Sequence, residues 1–312
     1  MTSTSTAQFS RETADSGRFV RQPNRFADRV TADGSSGYPV QPGRYKLYVC
    51  LACPWAQRTL IVRELLGLAD VLPVTVVDPI RDEKGWRFTL SPDGRDPATG
   101  AAYLSELYAA SDPTYEGRVT VPCLWDRETG RMVTNDYPQI TLDLSSEWTA
   151  HHRADAPDLY PEALRPAMDE LIGEIFSDVN NGVYRAGFAA SQEAYEEAYD
   201  ALFARLDVLE ERLGGSRYLM GDALTEVDVR LWTTMARFDS VYHGHFKCNR
   251  KRLVDYPELW DWTRHLYQQP AFRTTTDFDH IKRHYYCTHE KLNPTRVLPK
   301  GPEIDWEAPT RR

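Results

Sequence analysis

Long apolar runs are missing from this 312-residue chain; none approaches the roughly 20 residues a membrane-crossing helix needs. Cysteine is scarce and odd in number, five residues without regular spacing, which excludes a disulfide framework and fits a reducing compartment. Basic charge is in deficit: 37 Lys and Arg stand against 46 Asp and Glu, a net charge of −9, so neither nucleic acid nor an anionic membrane is an expected partner. The opening Met1-Thr2-Ser3-Thr4-Ser5-Thr6 has neither the basic nor the apolar region of a signal peptide. The paired spacings of structural zinc ligands are absent as well. Tyr242-His243-Gly244-His245-Phe246-Lys247-Cys248 and Cys287-Thr288-His289 offer ligand atoms without them, and no metal is expected. The expectation is a soluble cytoplasmic protein, long enough for two domains.

What is present is one cysteine in an informative place. Cys50-Leu51-Ala52-Cys53-Pro54-Trp55-Ala56-Gln57-Arg58 follows Tyr45-Lys46-Leu47-Tyr48-Val49, an alternating run of strand formers, and precedes Leu60, Ile61, Leu65 and Leu68 at helical spacing. Pro54 suits the first helical position, where its missing N–H would have been an orphan donor. Cys53 is therefore predicted at or near the N-cap. Amide donors and the helix dipole favour a thiolate there, Arg58 adds positive charge one turn on, and the pKa is expected below the free value of about 8.5. Such a thiolate attacks sulfur or an electrophilic carbon. In a dithiol motif the attacking cysteine comes first, at the helix start; here the proline sets the helix start after the second, so Cys50 is expected to be buried and inert. Ala56 occupies the place of a resolving cysteine, and a mixed disulfide on Cys53 needs an outside thiol. The blander alternative is an ordinary buried cysteine, against which Pro54-Trp55 and the helix start weigh.

The order of elements predicts an α+β half followed by an α half. Strand 45–50, helix 54–67 and strand 72–77 make a βαβ unit with a parallel pair. Residues 78–117, rich in Gly, Pro and Asp, are too long for an ordinary connection and are expected to be a functional insertion or mobile loop. Strands 119–125 and 131–134 flank Glu128-Thr129-Gly130 as a hairpin, and a helix starts near Pro138. That order is thioredoxin-like. Pro122 inside an apparent strand fits it as the cis-proline such folds set opposite their active cysteine, beside a strand edge that can pair with a peptide-like thiol. From residue 160 the pattern is helical. One apolar face runs Met168, Leu171, Ile172, Ile175, Phe176, Val179, and a second runs from Tyr195 to Leu213 before Gly214-Gly215. Thr225 and Asp228 spell a capping box, with Leu224 as a staple against Val229, and a last helix runs from Pro257 through Leu266. The expected domains are an extension over 1–43 anchored by Phe19, Arg21 and Phe26, a thioredoxin-like domain over 44–150, a helical domain over 157–285 and a tail over 286–312.

With these segments in order the chain resembles a glutathione transferase. CPWAQR between YKLYVCLA and TLIVRELLGL, Gly85-Trp86, Asn180 to Tyr184 (NNGVY) and Ile281 to Thr295 (IKRHYYCTHEKLNPT) are similar to the Xi class, the glutathionyl-hydroquinone reductases, over nearly the whole length. The resemblance implies a thioredoxin-like N-terminal domain followed by an all-helical glutathione-transferase C-terminal domain, and a reductive deglutathionylation. In that reaction Cys53 attacks the sulfur of a glutathionyl-hydroquinone, and a second thiol resolves the mixed disulfide. It implies that Trp86 packs on the thiol, that Val121 before Pro122 pairs with its backbone, and that Tyr184, Tyr242 and one of Tyr285 or Tyr286, with Tyr285 favoured, line the hydroquinone side. Core packing is the default for any one of 17 tyrosines. No metal or organic cofactor is implied, only glutathione or another low-molecular-weight thiol as co-substrate, and a homodimer is.

Departures from the family pattern concern the thiol. Where the family shows Asn-Glu-Ser-Ser, this chain has Asn135-Asp136-Tyr137-Pro138: Asp136 keeps an acid for an ammonium group, while Tyr137 replaces the serine for a carboxylate. Gln57 replaces a histidine. Both changes are read into the thiol-recognition pocket, with Arg58 on its edge, and predict a different thiol such as mycothiol, in keeping with the arginine-over-lysine composition of a GC-rich actinobacterium. Two further readings stand beside this one: a general thiol transferase of glutaredoxin type, and a non-catalytic interaction module in which Cys53 is incidental and unreactive.

Overall fold

The computed structural model describes residues 12–312; the opening Met1 to Thr6 lies outside them. The alternating run forms β1 (Tyr45–Val49), central in a four-stranded sheet with β2 (Val74–Val76), β3 (Cys123–Asp126) and β4 (Arg131–Thr134), in the order β2-β1-β3-β4. β1 runs parallel to β2, with Leu47 opposite Val74, and antiparallel to β3, with Leu47 opposite Leu124; β3 and β4 form the hairpin. Every residue of β1 is buried because the sheet is covered on both faces. Successive side chains alternate: Lys46 and Tyr48 reach Asp96 of the insertion, whereas Tyr45 sets its ring against Trp148. α1 (Pro54–Leu65) and α3 (Tyr137–Ser146) pack against each other.

The insertion is built and not merely looped. It contains α2 (Leu104–Ser111), whose Leu104, Leu107 and Tyr108 are buried, and Glu106 accepts from the Tyr103 backbone N–H to cap it. Asp96, 1% exposed, accepts from Lys46 Nζ at 2.8 Å, Tyr48 Oη at 2.9 Å and Thr99 Oγ1 at 2.8 Å. Composition hid this ordering because it comes from one carboxylate and not from periodicity.

Gln22–Pro157 and Thr275–Val297 form one compact unit; residues 12–21, Asp158–Thr274 and Leu298–Arg312 form the other. The second unit is helical. It holds α4 (Arg165–Ile175), a π-helical turn over Phe176–Asn180, α5 (Gly182–Gly187), α6 (Gln192–Gly214), α7 (Glu226–Met235), a second π-helical turn over Phe238–Tyr242, α8 (Pro257–Tyr267) and α9 (Pro270–Arg273). The capping box forms as read: Asp228 accepts from the Thr225 N–H and hydroxyl, both at 3.0 Å, and also from the Leu219 N–H at 2.9 Å and Trp262 Nε1 at 3.2 Å. No helix among the described residues is long and apolar enough to cross a membrane.

Like α2, a further helix lies outside the expected elements. α10 (Phe278–Thr288) starts on the Asp277 cap, buries Ile281, His284, Tyr285 and Thr288, and returns to the first unit. The limit expected at residue 285 falls inside it. The extension divides in the same way. Phe19 sets its ring 5.6 Å from that of Phe188, tilted, within the second unit, whereas in the first the Phe26 N–H donates to Asn135 Oδ1 and the Phe26 carbonyl accepts from the Asn135 N–H.

Candidate active site

Cys53 is the N-cap of α1, with extended φ and ψ of −79° and 120°, Pro54 follows at the first helical position, and the first turn carries no acid. Helix geometry there follows from the proline, whose fixed φ starts the turn. Its Sγ lies 3.4 Å from the Val121 carbonyl oxygen, and it is 9% exposed. The Val121–Pro122 peptide is cis and precedes β3, so the apparent strand at 119–125 begins only at Cys123. Two residues brace this turn: Tyr108 donates to the Thr120 carbonyl at 2.8 Å, and Asn135 Nδ2 donates to Thr120 Oγ1 at 2.9 Å. Cys50 is fully buried at the strand end. Burial pushes the Cys123 and Cys248 thiols far up, and neither is a nucleophile near neutral pH.

The other expected residues of this unit fall in separate groups. Tyr137 opens α3 and sets its ring 4.7 Å from that of Trp55, over which the Arg58 guanidinium lies at 4.5 Å; all three are buried. Asp136, the half-buried N-cap of α3, accepts from Asn24 Nδ2 at 3.0 Å. Trp86 is 4% exposed in the insertion, stacks on His284, and its indole N–H meets no acceptor among the described residues. Tyr285 is buried edge-on against His284 and His289, while Tyr286 is more exposed.

Gln57 corrects one expectation. It is fully buried and its amide donates to the Thr275 carbonyl at 3.1 Å and Thr276 Oγ1 at 2.8 Å, so it fastens the approach to α10 and is a tether of that segment. It no longer speaks for a change of thiol.

Within the second unit, Tyr184 on α5 and Tyr242 in the π-helical turn have ring centroids 6.0 Å apart. Tyr184 is 8% exposed, and the Arg21 guanidinium lies 5.1 Å from its ring while donating to Asn181 Oδ1. Tyr242 is fully buried and stacks on Phe246, which seats against Gly187 so closely that a Cβ there would strike its ring. Of the histidines and cysteine weighed as metal ligands, His245 stacks on Phe246 and Cys248 is buried.

Asn24 and His284 escaped the reading of the sequence. His284 had a visible signal, the i, i+3, i+4 spacing of Ile281, His284 and Tyr285 behind Asp277; Asn24 had none, because its contact spans 112 residues.

Comparison with known proteins bears on this geometry. Residues 52–147 match the family model for the glutathione S-transferase N-terminal domain, and residues 192–265 that for the C-terminal domain. The glutathionyl-hydroquinone reductase YqjG of Escherichia coli is 46% identical over 307 residues, covering 95% of this chain and 92% of that protein. Its glutathione-bound structure superposes with a TM-score of 0.87, over 92% of this chain and 95% of that one. A glutathione transferase from Gordonia bronchialis is 55% identical with a TM-score of 0.90, over 92% and 89% of the two chains. The Xi glutathione S-transferase of Phanerochaete chrysosporium is 44% identical with a TM-score of 0.91, over 96% of both.

Proposed function

Since the chain belongs to the glutathione transferases, in the Xi class of glutathionyl-hydroquinone reductases, and is thus a thiol-dependent oxidoreductase and transferase, we propose that it removes a low-molecular-weight thiol from hydroquinone conjugates through Cys53. The observation that carries this reading is the seat of Cys53 at the tip of α1 beside the cis-proline, where the resting thiol donates to the Val121 carbonyl at 3.4 Å and faces the helix end once its proton leaves. The helix end favours the thiolate. In the first step the thiolate attacks the conjugate's sulfur: a sulfur–sulfur bond forms, the carbon–sulfur bond breaks, and the ring takes the electron pair and a proton. The ring is reduced by two electrons, one from each of the two sulfurs that become the mixed disulfide. Tyr184, Tyr242 and Tyr285 are the hydroxyls assigned to the aromatic oxygen on which charge develops. In the second step a free thiol attacks the mixed disulfide, releases the disulfide product and restores Cys53. No prosthetic group enters either step, and the working assembly in this reading is a homodimer.

Trp86 supports a thiol subsite, since a buried indole N–H costs about 1–3 kcal/mol until it finds an acceptor. Val121 and Pro122 offer backbone to the cysteinyl part, and Asp136 a carboxylate to an ammonium. At the carboxylate end Tyr137 turns its ring onto Trp55, which favours a thiol other than glutathione, such as mycothiol. Mass spectrometry of the protein after incubation with glutathionyl- and mycothiol-hydroquinone tests both points: the expected result is one thiol mass on Cys53, larger with the mycothiol conjugate. A Cys53→Ser protein that still turns over would overturn the reading.

A further inference from the structure

Trp86 is held by a residue outside the proposed thiol contacts, and held at two points. His284, on the buried face of α10, stacks on it with ring centroids 5.2 Å apart and planes 24° from parallel. The same imidazole bonds the Pro79 carbonyl oxygen through Nδ1 at 2.7 Å. A carbonyl only accepts, so Nδ1 carries the proton. Pro79 and Trp86 are the two ends of one excursion at the start of the insertion, closed behind them by the Asp78 N–H donating to the Arg87 carbonyl at 2.8 Å. One side chain therefore grips both ends. Its helix is tethered in turn: Gln57, one turn from Cys53 on α1, holds Thr275 and Thr276, which lead into α10.

We propose that His284 is a positioning residue for thiol recognition: stacked on Trp86 and bonded to Pro79, it fixes the indole for the thiol co-substrate, and the Gln57 tether keeps that indole in register with Cys53. This rests on the reading that the thiol packs on Trp86. A residue acting only through Trp86 is redundant once Trp86 is gone, whereas one that merely supports the fold is not.

The test is a double-mutant cycle on the full chain, with glutathione and mycothiol each as reductant of its own hydroquinone conjugate. His284→Leu is expected to raise KM for the thiol about tenfold with kcat at saturating thiol within about twofold, and His284→Phe, which keeps an aromatic ring, to recover part of that loss. Trp86→Ala is expected to raise KM at least as much, and Trp86→Ala with His284→Leu no further. Additive losses in the double variant, or an unchanged KM in His284→Leu, overturn the proposal while leaving the thiol at Trp86. An unchanged KM in Trp86→Ala sinks that placement and the proposal with it, as does an absence of turnover by the wild-type protein with both thiols. Should His284→Leu not fold, His284→Phe carries the same cycle, since it lacks the donor to Pro79.

Discussion

Two helix starts in this molecule use the same physics for opposite ends. α7 begins at Thr225, and its tip is closed by Asp228, a buried carboxylate that also collects the Leu219 amide and the Trp262 indole. α1 begins at Cys53 with a proline, no side-chain cap and no acid in its first turn. A helix tip attracts negative charge in either case. At α7 the charge is built in and locks the helical unit together; at α1 the sequence supplies a sulfur in place of a fixed carboxylate, and in the proposed mechanism the anion formed there is the one that reacts. In that reading the contrast separates a residue for stability from a residue for chemistry, although both are buried and both sit at a helix start.

The largest expected effect breaks the contrast on the α1 side. Cys53→Ser should lower turnover of a hydroquinone conjugate by on the order of 10³-fold or more, with the melting temperature moved by no more than about 2 °C. In the wild-type protein iodoacetamide at neutral pH should label Cys53 and spare Cys123 and Cys248, whose thiols burial keeps protonated; peptide mapping reads this directly. Labelling of all the cysteines at one rate would remove the distinction between the two caps.

The next effect falls on the α7 side. Asp228→Ala leaves four donors without their acceptor, a loss on the order of 3–5 kcal/mol in denaturant unfolding. Whatever folded protein remains should keep its KM for the thiol. A KM that moves along with stability would mean that the α7 cap also serves recognition.

A second buried carboxylate sharpens the comparison. Asp96 is as buried as Asp228, and burial works to raise its pKa, but Lys46, Thr99 and Tyr48 together outweigh it and leave the group below its ordinary 3.8. With the folded pKa depressed, its contribution is present above the unfolded value and is lost as pH falls below about 3.8 through the folded pKa. Hydrogen exchange of the Ala98 and Thr99 amides, both bonded to Asp96, should therefore speed up in acid, and Asp96→Asn should flatten that response.

Which features could be read in advance follows the same divide between local and distant causes. The Cys53 cap, the hairpin and the Thr225 capping box are specified within a few neighbouring residues, and each was legible. Asp96 and Asn24 act on partners far along the chain, and no local pattern announces them. Gln57 was misplaced for a related reason: its neighbourhood in sequence is the cysteine motif, whereas its partners are Thr275 and Thr276, more than two hundred residues on. α10 lies between these cases: its Asp277 cap and the spacing of Ile281, His284 and Tyr285 are local, whereas the contact that seats it, His284 on the Pro79 carbonyl, is distant along the chain.

The smallest effect concerns what the α1 tip is built to receive. Tyr137 occupies the first turn of α3, and its ring, tilted 44° against Trp55, belongs to a stack that ends in the Arg58 guanidinium. Replacing it by serine removes one aromatic contact, worth about 1 kcal/mol, and opens space where a hydroxyl can meet a carboxylate. Tyr137→Ser is therefore expected to lower KM for glutathione by roughly fivefold with kcat unchanged, since the added bond forms equally in ground and transition states. Steady-state kinetics with varied thiol decide it. An unchanged KM for glutathione would show that Tyr137 serves the Trp55 and Arg58 stack alone, and the choice of thiol would then have to be sought at Asp136 and at Asn24, which holds its carboxylate.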